Sequence, residues 1–171
     1  MFVRFAVAAA LPVLAVIAAI HPASAEYASI SLPVDQVLQS LKGQTNLPIF
    51  IPEDVQIAAE ESVYWRTNAS PNSYAIEFQF TPDCRGATYC YIGSFSAERG
   101  GQFGTKDGAK VYEGVILRGG LKALHTQYCG VVCQSNLEWK LGGVLYRVNF
   151  KNGVYESLVN TANSAIVGGQ R

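Results

Sequence analysis

The sequence predicts an α+β domain: an antiparallel sheet of six to seven strands with a C-terminal helix packed on one face and a short helix near the N-terminus. Three observations lead there. From residue 63 onward apolar side chains recur at period two in short runs, turn-forming residues separate those runs, and the last run gives way to apolar spacing of helical period. No repeat, low-complexity tract or linker divides the chain after residue 25, so residues 26–171 read as one domain.

Pro33 followed by Val34, Leu38 and Leu41 makes a helical stripe at i, i+4 and i+7, with proline in the first turn and Gly43 placed to end it. Leu47-Pro48-Ile49-Phe50-Ile51-Pro52 is extended, because each proline pushes its predecessor out of the helical region, and a sheet edge is its expected place. Residues 53–61 fit either a helical turn or a loop. Residues 63–67 open the strand pattern, and the segment around Pro71 turns the chain. Tyr74, Ile76, Phe78 and Phe80 then alternate with Ala75, Glu77 and Gln79, which is a half-buried strand with one aromatic face. Residues 88–96 repeat the pattern with Tyr89, Tyr91 and Phe95 on one side, so these two strands make a hairpin.

Gly100, Gly101, Gly104 and Gly108 mark residues 99–108 as the most flexible stretch. Strands follow at 109–117 and 121–126 around an Arg118-Gly119-Gly120 turn. Leu137, Trp139 and Leu141 alternate with Glu138 and Lys140, and Gly142-Gly143 forms a two-residue turn into Val144, Tyr146, Val148 and Phe150. Tyr155, Leu158, Val159, Ala162 and Ile166 fall on one face of a closing helix that stops at Gly168-Gly169, and its other face is expected to be a polar outer surface.

Residues 1–25 read as a secretory signal peptide. Arg4 supplies the positive start, an uncharged apolar run broken only by Pro12 follows, and Ala23-Ser24-Ala25 is a small-x-small site before Glu26. A membrane anchor wants about 18 or more apolar residues in a row. Cleavage is therefore expected, leaving no stable membrane insertion. The alanine-rich leader is bacterial in style, and the expected location is periplasmic or secreted. Without it the apolar share falls from 49% to about 44%, ordinary for a globular domain. Losing Arg4 turns 13 basic against 13 acidic residues into a net charge of −1, which implies no electrostatic partnership with nucleic acid or an anionic membrane.

Cys84, Cys90, Cys129 and Cys133 form an even set in an exported chain, which points to two disulfides. The C-x5-C and C-x3-C spacings favour two local loops, each with a glycine that lets it turn tightly. The crossed pairings stay open; they would close loops of about 40 residues and constrain the unfolded chain more. An all-cysteine zinc site is disfavoured, because the first spacing is too long and the compartment oxidising.

Leu137-Glu138-Trp139, a glycine pair, Val144-Leu145-Tyr146-Arg147-Val148, Leu158-Val159 and Ala162-Asn163-Ser164 together resemble a bacterial domain of unknown function at the extracytoplasmic end of some anti-sigma factors and lipoproteins. There a tryptophan strand, a glycine turn, a tyrosine strand and a terminal helix close the domain, and residues 47–52 resemble its proline-flanked entry. The two cysteine loops resemble those of small secreted cyanobacterial proteins of unknown function. Neither resemblance carries a catalytic residue, and the first implies that Trp139 and Tyr146 belong to the core.

Chemistry-bearing residues are few. With His21 in the leader, His125 is the one histidine of the mature chain, which excludes two-histidine metal motifs and two-histidine ribonuclease chemistry. No G-x-S-x-G elbow exists, and the glycines around Phe103 lack the phosphate-cradling spacings. No cofactor and no metal is expected. Glu77, Glu113 and Glu138 sit on predicted strands where they converge on one face with Arg147, and a solvated sheet face is the ordinary account of such a set.

Nine tyrosines and two tryptophans exceed what one core needs, and an aromatic surface favours glycans or protein partners. Phe103 and Tyr91 are the candidate partner contacts. The expected function is a non-enzymatic exported domain, stapled by two disulfides, that binds a protein or glycan in the cell envelope or outside it. The alternative is a small secreted hydrolase using His125 with strand carboxylates such as Glu113 or Glu138.

Overall fold

The computed structural model describes residues 28–57, 62–84, 87–104 and 108–171, with the Glu113 side chain outside that set; the expected signal peptide lies outside the described residues as well. The fold is α+β, as the periodicities require. Its centre is a seven-stranded antiparallel sheet built from β3 (Tyr64–Ser70), β4 (Ser73–Gln79), β5 (Tyr91–Arg99), β6 (Lys110–Ile116), β7 (Lys122–Cys129), β8 (Cys133–Leu141) and β9 (Val144–Lys151), in the order β3-β4-β5-β9-β8-β7-β6. A separate ribbon pairs β1 (Ala28–Ser31) with β2 (Asp54–Ile57). The helices are α1 (Val34–Leu41) and α2 (Tyr155–Gly168).

Within the large sheet consecutive strands pair as hairpins except β5 and β6, and β9 inserts between β5 and β8. Two-residue turns join β3 to β4 through Pro71 and Asn72 and β8 to β9 through Gly142 and Gly143. Both of these glycines carry positive φ, 59° and 77°, a backbone that other L-residues resist. Both disulfides are local. Cys84–Cys90 staples the β4–β5 connection, and Cys129–Cys133 joins facing residues at the end of the β7–β8 hairpin.

Alternation divides the sheet into two unlike faces. On one, directly opposed residues form apolar rows: Ile76, Phe95, Val148 and Leu137 run across four strands, and Tyr74, Ala97, Tyr146 and Trp139 run beside them. Trp139 stacks on Tyr146 with centroids 5.7 Å apart and meets Phe95 edge-on at 6.0 Å. Trp139 and Tyr146 are therefore core residues. Gly93 is required where β5 passes β9, because a Cβ there would lie 2.2 Å from the Asn149 carbonyl oxygen and 2.3 Å from Phe150 Cδ1.

Three expectations need correction. Residues 47–52 do not follow a sheet edge; Leu47, Ile49, Phe50 and Ile51 are buried in the core. Two tyrosines of the sheet, together with the Arg171 N–H on the Ile49 carbonyl, pair with the segment's backbone, which has no strand partner. The Tyr74 hydroxyl donates to the Phe50 carbonyl and accepts from the Phe50 N–H, both at 2.9 Å, and the Tyr146 hydroxyl donates to the Pro48 carbonyl at 3.2 Å. Burial raises the pKa of both phenols, that of Tyr146 to about 12, so both stay protonated and able to donate.

Tyr91 and Phe95 do not share a side. A bulge in β5 opposite Phe78 and Gln79 inserts Ile92 and moves Tyr91 to the face opposite Phe95.

The polar outer surface expected of α2 is only part of its polar side: Glu156 and Asn160 are exposed, but a second polar line faces inward. Ser157, Thr161 and Ser164 recur at helical spacing against β2, whose other edge is taken by β1. Ser157 donates to the Gln56 carbonyl, Thr161 Oγ1 accepts from the Gln56 N–H at 3.2 Å, and Ser164 Oγ accepts from the Asp54 N–H at 2.9 Å. The helix thus covers a strand edge with hydroxyls. The ambiguous stretch after Pro52 is in consequence a strand, for as far as residue 57.

Candidate functional site

The second face of the sheet is polar. Ser94, Asn149, Asn136 and Thr126 lie directly opposite one another on β5, β9, β8 and β7, and Ser96, Arg147 and Glu138 form the adjacent row. Cross-strand neighbours on one face stand close enough to touch. Asn149 Nδ2 donates to Asn136 Oδ1 at 2.6 Å, and Asn136 Nδ2 reaches Thr126 Oγ1 at 3.5 Å. The Tyr91 hydroxyl, delivered here by the β5 bulge, lies 3.1 Å from Ser94 Oγ and 3.4 Å from Asn149 Oδ1. Burial raises its pKa, so it remains a neutral phenol.

These groups line a cavity of about 410 Å³, and a neighbouring one of about 450 Å³ continues across Ser96 and Arg147 toward Asn68, Ser70 and Ser73. Gly104 adds backbone to the lining of the first cavity. Gly104 N–H donates to Glu138 Oε2 at 2.8 Å, while Arg147 Nε donates to Oε1 at 2.5 Å. Glu138 is only 1% exposed. Each of its oxygens has a charge-assisted partner, which is what a buried carboxylate needs. Farther out, Lys140 Nζ donates to Gln102 Oε1 at 3.0 Å and stands 5.2 Å from the Phe103 ring centroid. Phe103 is 41% exposed and precedes the lining residue Gly104.

Arg147 and Glu138 pair within the cavity, and every other lining side chain among the described residues is uncharged. Hydroxyls and carboxamides offer both donors and acceptors at fixed spacing. The arrangement can hold a neutral, hydroxyl-bearing molecule, and its described lining carries no net charge.

The residues singled out in the sequence fall on different sides of this geometry. Tyr91 and Glu138 line the polar cavity, and Phe103 lies outside its lining, one residue before Gly104. Glu77 shares the face with Glu138 but pairs with Arg66 at 2.6 Å. His125 is on the other face, directly opposite Leu137, so that Glu138, the next residue on β8, points away from it. The expected pairing of His125 with Glu138 is therefore not formed: a shift of one residue along a strand reverses the face. The Glu113 side chain lies outside the described residues.

Sequence reasoning missed Ser94, Asn136, Asn149 and Thr126. The period-two spacing of Asn136 with Glu138, and of Arg147 with Asn149, was the available signal, but only the strand order places them in one row. Among the described residues no group of three or more His, Cys, Asp or Glu side chains is placed to hold a metal ion. Compared with protein-family models, with curated proteins and with solved structures, the chain matches none of them.

Proposed function

We propose that this protein is a non-enzymatic binding domain of the bacterial cell envelope or extracellular space, and that its ligand is a glycan laid along the polar face of the sheet. The observation that carries the reading is the cavity of hydroxyls and carboxamides around a single ion pair, with Gly104 in its lining. Sugars present neutral hydroxyls that donate and accept at once, which is what Asn136, Asn149, Ser94 and Tyr91 pair with. Aromatic rings add stacking area for sugar rings, and the exposed Phe103 is next to the lining residue Gly104.

Two disulfides fit an oxidising, non-cytoplasmic compartment, and the leader-like residues 1–25 favour export to the periplasm or beyond. Among the described residues no helix is long and apolar enough to cross a membrane. Of the pairings behind the hydrolase alternative, that of His125 with Glu138 is not formed, since the two are on opposite faces.

A neutral-glycan array, followed by calorimetry on any ligand retained, tests the reading. Asn149→Ala removes the side chain that joins Asn136 to Tyr91 and is expected to weaken binding by roughly tenfold, the size of one or two lost hydrogen bonds. Phe103→Ala is expected to weaken it less. An array that retains no neutral glycan, or binding indifferent to Asn149→Ala, would overturn the proposal.

A further inference from the structure

The apolar face of the sheet has an opening of its own. Where the β7–β8 hairpin, the end of β9 and the start of α2 come together, a cavity of about 640 Å³ is lined by Tyr112, Val115, His125, Gln127, Val154 and Tyr155 among others. That volume lies within the range of small-molecule sites. The β6 bulge shapes it: the register shift between Tyr112 and Val115 turns both residues toward the same side, facing His125 and Ala123 of β7.

His125 is 6% exposed, and its Nε2 is a buried nitrogen with no hydrogen-bond partner among the described residues. Such an orphan is uncommon and unfavourable in a folded protein. Its imidazole stacks on Tyr112, with centroids 4.8 Å apart and planes within 19°, and touches Tyr155 at 5.4 Å. Both tyrosines are 42% exposed. Two half-exposed phenol rings thus flank a nitrogen shut off from water, and exposed side chains of this kind change rotamer quickly. Burial lowers the His125 pKa, favouring the uncharged imidazole. No lining residue among those described carries a formal charge.

We propose that this cavity is a second binding site, separate from the polar face, for a small neutral aromatic compound bearing a hydroxyl. Its ring packs against Tyr112 and Tyr155, and its hydroxyl pairs with His125 Nε2 once a tyrosine ring turns aside. A phenolic hydroxyl both donates and accepts, so it satisfies Nε2 in either tautomer of the imidazole. A carboxylate lacks a compensating cation here, and a purely apolar ring leaves the nitrogen unpaired.

Titration of the full chain with p-cresol and with toluene, followed by NMR of the imidazole resonances, decides the matter. The His125 signals are identified by their loss in His125→Phe. The expected result is a saturable shift of His125 by p-cresol, toluene binding roughly five- to tenfold more weakly, and no shift of the Asn136 and Asn149 side-chain amides. His125→Phe keeps a ring in place and should bring the two affinities together. Tyr112→Ala and Tyr155→Ala, at half-exposed positions, should weaken both probes alike and serve if His125→Phe does not fold. Equal affinity of the native chain for both probes, absence of a His125 shift, shifts confined to the polar face, or full affinity in both tyrosine variants would each overturn the proposal.

Discussion

At His125 burial works against charge, and the consequence can be measured without any ligand. The folded imidazole has a pKa below the usual 6.5 because desolvation penalises its protonated form. Above about pH 6.5 the group is neutral whether the chain is folded or not, and its titration contributes nothing. As the pH falls through that value the unfolded chain takes up a proton that the folded one resists, so stability drops until the depressed folded pKa is reached. Urea denaturation between pH 7.5 and 5 should show this loss, and His125→Phe should remove part of it. A variant with the same pH slope as the native chain would show that His125 is not the buried base described here. The sequence marked His125 as singular and left its surroundings open, because a strand residue's face is set by its partners.

Among the elements, α2 is the one whose role the sequence least disclosed. Its apolar spacing places Leu158 and Ala162 against the sheet, as expected from a helical stripe. Ser157, Thr161 and Ser164 look like ordinary solvent-facing residues in one dimension, and become partners of β2 only because a short ribbon lies alongside. Thr161→Val keeps the shape but leaves the Gln56 N–H without its acceptor. The change is expected to cost about 1–3 kcal/mol, read as a lower urea midpoint with an unchanged m-value. No loss would mean that β2 gains nothing from that hydroxyl. Residues 47–52 teach a similar lesson. Their prolines correctly announced extended backbone, but extension does not say whether a segment joins a sheet or crosses over it. Hydroxyl groups of Tyr74 and Tyr146, distant in sequence, settle that.

For the whole molecule, the two disulfides act as local staples and the aromatic layer holds the faces together. Sequence separations of 6 and 4 close small loops, so each bridge removes little freedom from the unfolded chain, about 2 kcal/mol by the loop-entropy relation. Reduction with a strong thiol should therefore lower stability by about that much per bridge while leaving a cooperative unfolding transition, followed by circular dichroism in urea. Collapse of the sheet on reduction would show instead that the bridges hold together more than their own turns. Crossed pairings would have tied distant segments, and the strand order makes them unnecessary: β9 already joins the β4–β5 hairpin to the β7–β8 hairpin through backbone hydrogen bonds.

What the sequence determined by itself is whatever depends on neighbours along the chain: the period-two strands, the Gly142-Gly143 turn, the two helices and the closely spaced cysteines that could reach each other. Tertiary structure decided everything that depends on which strands lie side by side. Insertion of β9 between β5 and β8 puts Ser94, Asn149 and Asn136 in one row, and a single-residue bulge carries Tyr91 to them. Alternation alone then sends His125 and Glu138 to opposite faces. A strand residue's face and row follow from register, and register is a relation between segments far apart in sequence, held by the burial of the aromatic face.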